Sequence, residues 1–120
     1  MSIEDVLSKL VSDIDGATGA IILAADGEAV QWHVTAGAER LRLRGAYVAV
    51  AVQSYRDSPA FKKLGAARTL VLEYEGSSFV AEEIDKDCFV AIELAASANI
   101  GEALFRLGPA VIKLRSEIGG

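Results

Sequence analysis

The chain has 120 residues, of which 52% are hydrophobic and 24% are charged, and its formal net charge at pH 7 is −5. This length and composition predict one compact domain spanning residues 1–120 rather than a disordered chain. The acidic balance argues against general nucleic-acid binding, which needs a basic surface. The single cysteine, Cys88, excludes an internal disulfide and cannot form a thiolate metal site by itself.

Membrane and export signals are not apparent in the sequence. No uninterrupted apolar run approaches the roughly 20 residues that a membrane-spanning helix needs. The first ten residues, MSIEDVLSKL, lack the basic segment and apolar core of a signal peptide. We therefore expect a cytoplasmic protein without membrane insertion.

The first predicted elements are a helix and a β-hairpin. Ser2 and Asp5 have the spacing of a capping box, and Gly16 ends the helix. Residues 19–25 predict a buried strand, Asp26-Gly27 a hairpin turn, and residues 29–35 a second strand. Trp32 in this strand is expected to be a core residue; the alternative is an exposed hot spot for a partner. The helix has one apolar stripe, which is formed by Ile3, Val6, Leu7, Leu10, Val11 and Ile14.

Residues 38–57 predict a long helix with apolar residues on opposite sides. The segment is too long for one strand and has no turn signal except Gly45, and Asp57-Ser58-Pro59 ends it. Two rows of residues at helical spacing are offset by about 200°. One row is Leu41, Gly45, Val48, Val52 and Tyr55; the other is Leu43, Tyr47, Val50 and Ser54.

Three strands and a last helix complete the predicted order. Residues 69–75 and 78–84 form a hairpin around Gly76-Ser77, and residues 88–94 follow a turn at 85–87. Asn99 and Glu102 have capping-box spacing at the start of the last helix, and Pro109 predicts a kink in it. The predicted buried stripe of this helix is Ile100, Leu104, Leu107, Val111, Leu114 and Ile118.

The two-sided helix predicts association between chains. A helix that is apolar on opposite sides must be covered on both sides. The sheet covers one row, and a second copy packed across a two-fold axis would cover the other, with Gly45 and the alanines allowing close approach. The alternative is that the helix is sandwiched between the sheet and a loop of its own chain.

The order of elements resembles that of the roadblock/dynein light-chain family over nearly the whole chain. The resemblance is carried by the hairpin GATGAIILAADGEAVQWH (residues 16–33) and by ANIGEALFRLG (residues 98–108), which opens the last helix. Its most specific parts are packing and turn motifs rather than catalytic ones: Gly16, Gly19 and Ala20, then Asp26-Gly27, then Asn99-Ile100-Gly101.

This resemblance implies an α+β, three-layer α/β/α fold that is profilin- or longin-like. The implied sheet has five antiparallel strands in the order 2-1-5-4-3, with the middle helix on one face and the two terminal helices on the other. Members typically pair through their third strands and middle helices into a continuous ten-stranded sheet. The corresponding interface residues of a homodimer here are Tyr47, Val48, Val50, Val52, Leu70, Leu72 and Tyr74.

The resemblance also implies a partner, because bacterial and archaeal members often accompany small Ras-like GTPases and modulate their nucleotide cycle. The GTPase usually docks over the paired middle helices. Arg40, Arg42 and Arg44 are therefore the candidate partner-binding residues, with Gln31 and His33 as neighbours. Three arginines in the first turns of the helix interact unfavourably with the positive end of its dipole, and an acidic partner would offset this cost. The alternative is that Glu39 and solvent neutralise the arginines and nothing binds.

The sequence predicts no catalytic residues, no metal site and no cofactor. The lone histidine, His33, has no nucleophile or acid deducible beside it, and Cys88 is most simply a core residue rather than a redox one. The phosphate-loop pattern GxxxxGK[ST] is absent. Besides a GTPase regulator, two alternatives remain: a structural adaptor subunit without a nucleotide-dependent partner, and a small-molecule sensor of the PAS, GAF or profilin type.

Overall fold

A five-stranded antiparallel sheet forms the centre of the fold in the computed structural model, which describes residues 2–65 and 67–119. The strands are β1 (Ala17–Ala24), β2 (Ala29–Val34), β3 (Thr69–Glu73), β4 (Ser77–Asp85) and β5 (Cys88–Ala95). Their spatial order is β2-β1-β5-β4-β3, so the first and last strands of the chain lie side by side in the middle. This confirms the expected α+β fold and strand order.

Helices cover both faces of the sheet. They are α1 (Ile3–Asp13), α2 (Ala38–Asp57), the short α3 (Pro59–Lys62) and α4 (Ile100–Gly119). Helix α2 packs on β1, β2 and β5, whereas α1 and α4 pack on each other and on the opposite face. No helix among the described residues is long and apolar enough to cross a membrane.

Two hydrophobic cores result because the central strands are apolar on both faces. Along β1, Ile21 and Leu23 point toward α2, whereas Ala20 and Ile22 point toward the terminal helices. All four side chains are buried. The core on the α2 side is completed by Phe79 and by residues of α2 and β5, and the other core by α1 and α4.

The predicted helix ends are confirmed in most places. The Ser2 hydroxyl accepts from the Asp5 N–H and the Asp5 carboxylate accepts from the Ser2 N–H, both at 3.1 Å. Helix α2 begins at Ala38 and ends at Asp57, as expected. The short helix α3 was not predicted, although Pro59 at its first position is typical of a helix start.

The last helix differs from its prediction in two ways. The Asn99 side chain accepts from the Glu102 N–H at 3.1 Å, but the Glu102 carboxylate accepts from the Asp15 N–H instead of completing a capping box. Leu104, predicted to be buried, is exposed, because Ala103 and Ala110 occupy the inner positions. The helix continues through Pro109, and the kink at that residue stays a prediction.

Gly16 is required by both its backbone and its surroundings. Its φ is +88°, and a Cβ there would lie 2.7 Å from the Cβ of Ala98. Its carbonyl accepts from the Ala95 N–H at 2.8 Å, which ties the start of β1 to the end of β5. Gly27 has a similar φ of +90°, but a Cβ there would meet only ordinary contact at 3.5 Å.

We therefore predict that Gly16→Ala destabilises the fold more than Gly27→Ala does. Gly27→Ala carries only the strain of a left-handed residue, about 1 kcal/mol, whereas Gly16→Ala adds a clash and reaches about 2–4 kcal/mol. Urea denaturation of the two variants measures both losses. Equal losses would show that the Gly16–Ala98 contact imposes no constraint.

Candidate interaction surface

Helix α2 has an exposed apolar row on the side away from the sheet. Leu43, Tyr47 and Val50 are 56%, 64% and 66% exposed. On the opposite side of the same helix, Leu41 and Val48 are buried against β1 and β5. The helix is therefore apolar on both sides, and one side has no cover within the described residues.

Two of the predicted interface residues belong to the buried side. Val48 and Val52 are 1% and 5% exposed and pack in the core between α2 and the sheet, so their side chains do not reach the outer surface. Gly45 is also buried, and a Cβ added there would lie 3.3 Å from the Cδ1 atoms of both Ile21 and Leu23. Its lack of a side chain serves close packing of the helix on the sheet rather than on a second helix. We correct the predicted surface accordingly.

The remaining predicted interface residues lie on and beside β3, which is an edge strand. Leu70 and Leu72 are half-buried and pack against the α2-side core, and Tyr74 is exposed just after the strand. One edge of β3 pairs with β4, and within residues 2–65 and 67–119 its other edge has no strand partner. An open strand edge can pair with another strand.

Arg44 is held inside the fold by a buried glutamate. Its guanidinium donates to the Glu93 carboxylate at 2.7 Å and to the Ser77 hydroxyl at 2.9 Å. The Thr18 hydroxyl donates to the other Glu93 oxygen at 2.7 Å, so both carboxylate oxygens have a partner. The Arg44 and Glu93 side chains are 28% and 11% exposed. This corrects the prediction for Arg44, whose charge is already compensated within the chain.

Glu93 is a residue that the sequence analysis missed. It lies in the apolar run of β5 on the face that also carries Phe89 and Ala91, so alternation alone assigns it to the α2-side core. A buried carboxylate needs a compensating charge. The only signal in the sequence was a glutamate at an inward position of a strand otherwise without polar residues.

Arg40, Arg42 and Trp32 form an exposed basic and aromatic area at the start of α2, which we call the Arg–Trp platform. Arg40 and Arg42 are exposed, and the Arg42 guanidinium carbon lies 4.8 Å from the centre of the Trp32 ring. Trp32 is half-buried rather than a core residue. Helix α2 begins after Gly37, which has a φ of +77° and makes no side-chain cap. The two exposed arginines therefore stand at the positive end of an uncapped helix.

Gln31 and His33 lie on the other side of the sheet. They pair in register with Ile22 and Ala20, whose side chains belong to the core under the terminal helices. Trp32 pairs with Ile21 and faces α2. Strand alternation therefore separates Gln31 and His33 from the Arg–Trp platform, and we correct their predicted place beside it.

Cys88, the residue considered for redox chemistry, has a buried thiol. Burial, reinforced by the Asp85 carboxylate, raises the pKa of the Cys88 thiol to about 11, so the thiol is protonated at neutral pH. Among the described residues, no group of three or more His, Cys, Asp or Glu side chains is placed to hold a metal ion.

Comparison with solved structures shows which fold this is. A Roadblock/LC7 domain from Streptomyces avermitilis superposes with a TM-score of 0.86 at 16% identity, covering 100% of both chains. MglC from Myxococcus xanthus superposes with a TM-score of 0.73 at 25% identity, covering 98% of this chain and 100% of the MglC chain. The gliding protein MglB from Thermus thermophilus superposes with a TM-score of 0.83 at 16% identity, covering 96% of this chain and 87% of the MglB chain.

The chain thus has the Roadblock/LC7 fold, and the resemblance found in the sequence is confirmed at that level. No protein-family profile matches the chain. No curated protein matches it either.

The Arg44–Glu93 pair yields a stability prediction. Glu93→Gln keeps the size of the side chain but leaves the Arg44 charge uncompensated, so we expect a loss of about 1–3 kcal/mol. Glu117→Gln, at an exposed glutamate of α4 away from β3, serves as the matched control and should change stability by less than about 0.5 kcal/mol. Adding Arg44→Met to Glu93→Gln should recover part of the loss. Chemical denaturation giving equal values for the two single variants would contradict the role of the pair.

Proposed function

We propose that this chain is a homodimeric, non-catalytic regulator or scaffold that binds a small Ras-like GTPase and modulates its nucleotide cycle or its location. The observation that carries the proposal is the exposed apolar row of α2, which lies opposite the buried row of the same helix. The Roadblock/LC7 fold, shared with MglB and MglC, supports it. The family resemblance found in the sequence implies a GTPase as the partner.

Simple energetics favour a dimer that uses both α2 and β3. Leu43, Tyr47 and Val50 are already partly covered, so burying the rest contributes about 1–2 kcal/mol each. Six such side chains in a two-fold pair give roughly 6–12 kcal/mol, which is similar to the 4–15 kcal/mol cost of association. The helix row alone is therefore marginal. Pairing of the two open β3 edges supplies the hydrogen bonds that extend the interface.

The Arg–Trp platform is the proposed site for the GTPase. Arg40 and Arg42 are exposed cations in a chain of net charge −5, and they oppose the dipole of α2. An acidic partner surface removes this unfavourable interaction and gains charge-assisted hydrogen bonds to the guanidinium groups. Trp32 adds a half-buried aromatic surface beside them, a composition that is common at interface hot spots.

The proposed dimer is tested by one pair of matched variants. Val50→Asp introduces two carboxylates into the interface, one from each chain, so we expect the dissociation constant of the dimer to rise at least about 100-fold. Ile112→Asp is the control, since Ile112 is 67% exposed, against 66% for Val50, but lies on α4. Sedimentation velocity over a dilution series measures both. The same mass distribution for the two variants would contradict the α2 interface.

The proposed partner is tested with the small Ras-like GTPases of the host cell, each purified with GDP or with a non-hydrolysable GTP analogue. One of them should bind with a nucleotide preference, and Arg40→Glu/Arg42→Glu should weaken binding at least about tenfold while the dimer persists. Arg106→Glu/Lys113→Glu carries the same charge change on the opposite layer and should leave binding unaltered.

Three results of this binding experiment would contradict the proposal. Absence of any binding GTPase would exclude the proposed function. Equal affinity for the GDP and GTP forms would favour the structural adaptor. Binding that survives the platform variant would place the docking surface elsewhere.

A further inference from the structure

A second apolar face is exposed on α4, on the opposite side of the molecule from α2. Phe105 and Ile112 are 75% and 67% exposed, and Pro109 between them is exposed as well. Steps of four and three residues place these side chains on one face of the helix. The buried residues Leu107 and Leu114 lie on the other face. Helix α4, like α2, is therefore apolar on both sides.

A groove, which Phe105 and Pro109 line and Ile112 does not, runs between helix α4 and helix α1. It has a volume of about 130 Å³. Its apolar lining comes from Val6 and Leu10 of α1 and from Phe105, Pro109 and Ala110 of α4. The groove is thus bordered by two helices, which is the geometry that accepts the apolar side of a third helix.

The rim of the α1–α4 groove is basic. Lys9, Arg106 and Lys113 line it together with one carboxylate, Asp13. Lys9 donates to Asp13 at 2.9 Å, and this hydrogen bond, together with the nearby charges of Arg106 and Lys113, lowers the pKa of Asp13. Three cations and one anion give the rim a net charge of +2 in a chain whose net charge is −5.

We propose that the α1–α4 groove binds an amphipathic helix of another protein, with its apolar side against Phe105 and Pro109 and acidic side chains opposite Arg106 and Lys113. The apolar lining requires the first property and the basic rim the second. A second copy of this chain is a poorer occupant, because two grooves packed face to face bring Arg106 and Lys113 against the same cations. An anionic membrane matches the rim but is repelled by the acidic remainder of the chain.

This surface is independent of the proposed GTPase site. Helix α4 lies on one face of the sheet and the Arg–Trp platform on the other. A ligand in the groove therefore leaves the α2 layer accessible. A chain that binds one protein on each layer would connect the two.

The test uses two fluorescein-labelled synthetic helical peptides of about 18 residues, or five turns. Both have the same leucine and alanine face, flanked by glutamates in one peptide and by lysines in the other. Fluorescence anisotropy with the wild-type chain should show at least about tenfold tighter binding of the glutamate peptide. Arg106→Glu/Lys113→Glu should reverse this preference, and Phe105→Asp should abolish binding of both peptides.

Leu64→Asp is the matched control, since Leu64 is 77% exposed, against 75% for Phe105, and lies outside both α2 and α4. It should leave the binding of both peptides unchanged. Thermal melts followed by circular dichroism confirm that each variant is folded, as expected for exposed positions. Equal binding of both peptides, or binding that survives Phe105→Asp, would overturn the inference.

Two further measurements decide between occupants. In the first, the sedimenting mass of each variant is compared with that of the wild-type chain. A smaller assembly for Phe105→Asp but not for Val50→Asp would identify a second copy as the occupant and overturn the inference. Cosedimentation with phosphatidylcholine/phosphatidylserine vesicles that is lost in Phe105→Asp would identify a membrane and overturn it as well. Unchanged mass and no vesicle binding, together with the glutamate preference, support the acidic helix.

Discussion

The structure depends on a sheet whose central strands are apolar on both faces. In β1, Ile21 and Leu23 are buried on one side and Ala20 and Ile22 on the other, so neither face can be left to water. Helix α2 covers the first face, and α1 and α4 cover the second. Among the described residues, Glu93 is the one buried charged residue of this sheet, and its charge is compensated by Arg44 from the helix above. That ion pair ties the first turns of α2 to the sheet.

The same constraint explains why the molecule has outward-facing apolar surfaces. Within residues 2–65 and 67–119, α1, α2 and α4 form one layer on each face of the sheet. The only other helix there is the four-residue α3, which is too short to form a further layer. The outer rows of α2 and α4 therefore face solvent in the isolated chain. Their surroundings differ, because α2 adjoins an open strand edge and two exposed arginines, whereas α4 borders a groove with a basic rim. The difference favours self-association at the first surface and capture of a foreign helix at the second.

Apart from the short α3, the element order could be predicted from the sequence, and so could the two-sided character of α2, because both follow from apolar spacing. The direction of individual side chains could not. The sequence does not show which of Arg40, Arg42 and Arg44 faces the sheet. Only the packing of α2 turns Arg44 toward Glu93. The sequence of β2 shows which of its residues share a face, but the tertiary fold decides which face α2 covers. Gln31 and His33 were therefore predicted beside the arginines, although they lie on the opposite face. The outer face of α4 was missed because Ala103 and Ala110, small residues with weak hydrophobic signal, fill the inner positions.

Sedimentation equilibrium of the unmodified chain is the most direct test of the central claim that the outer row of α2 is an interface. A homodimer predicts a mass twice the 12.7 kDa of the single chain over the micromolar range. A mass of 12.7 kDa that persists to about 0.1 mM protein, the concentration at which even a weak pair is populated, would contradict it.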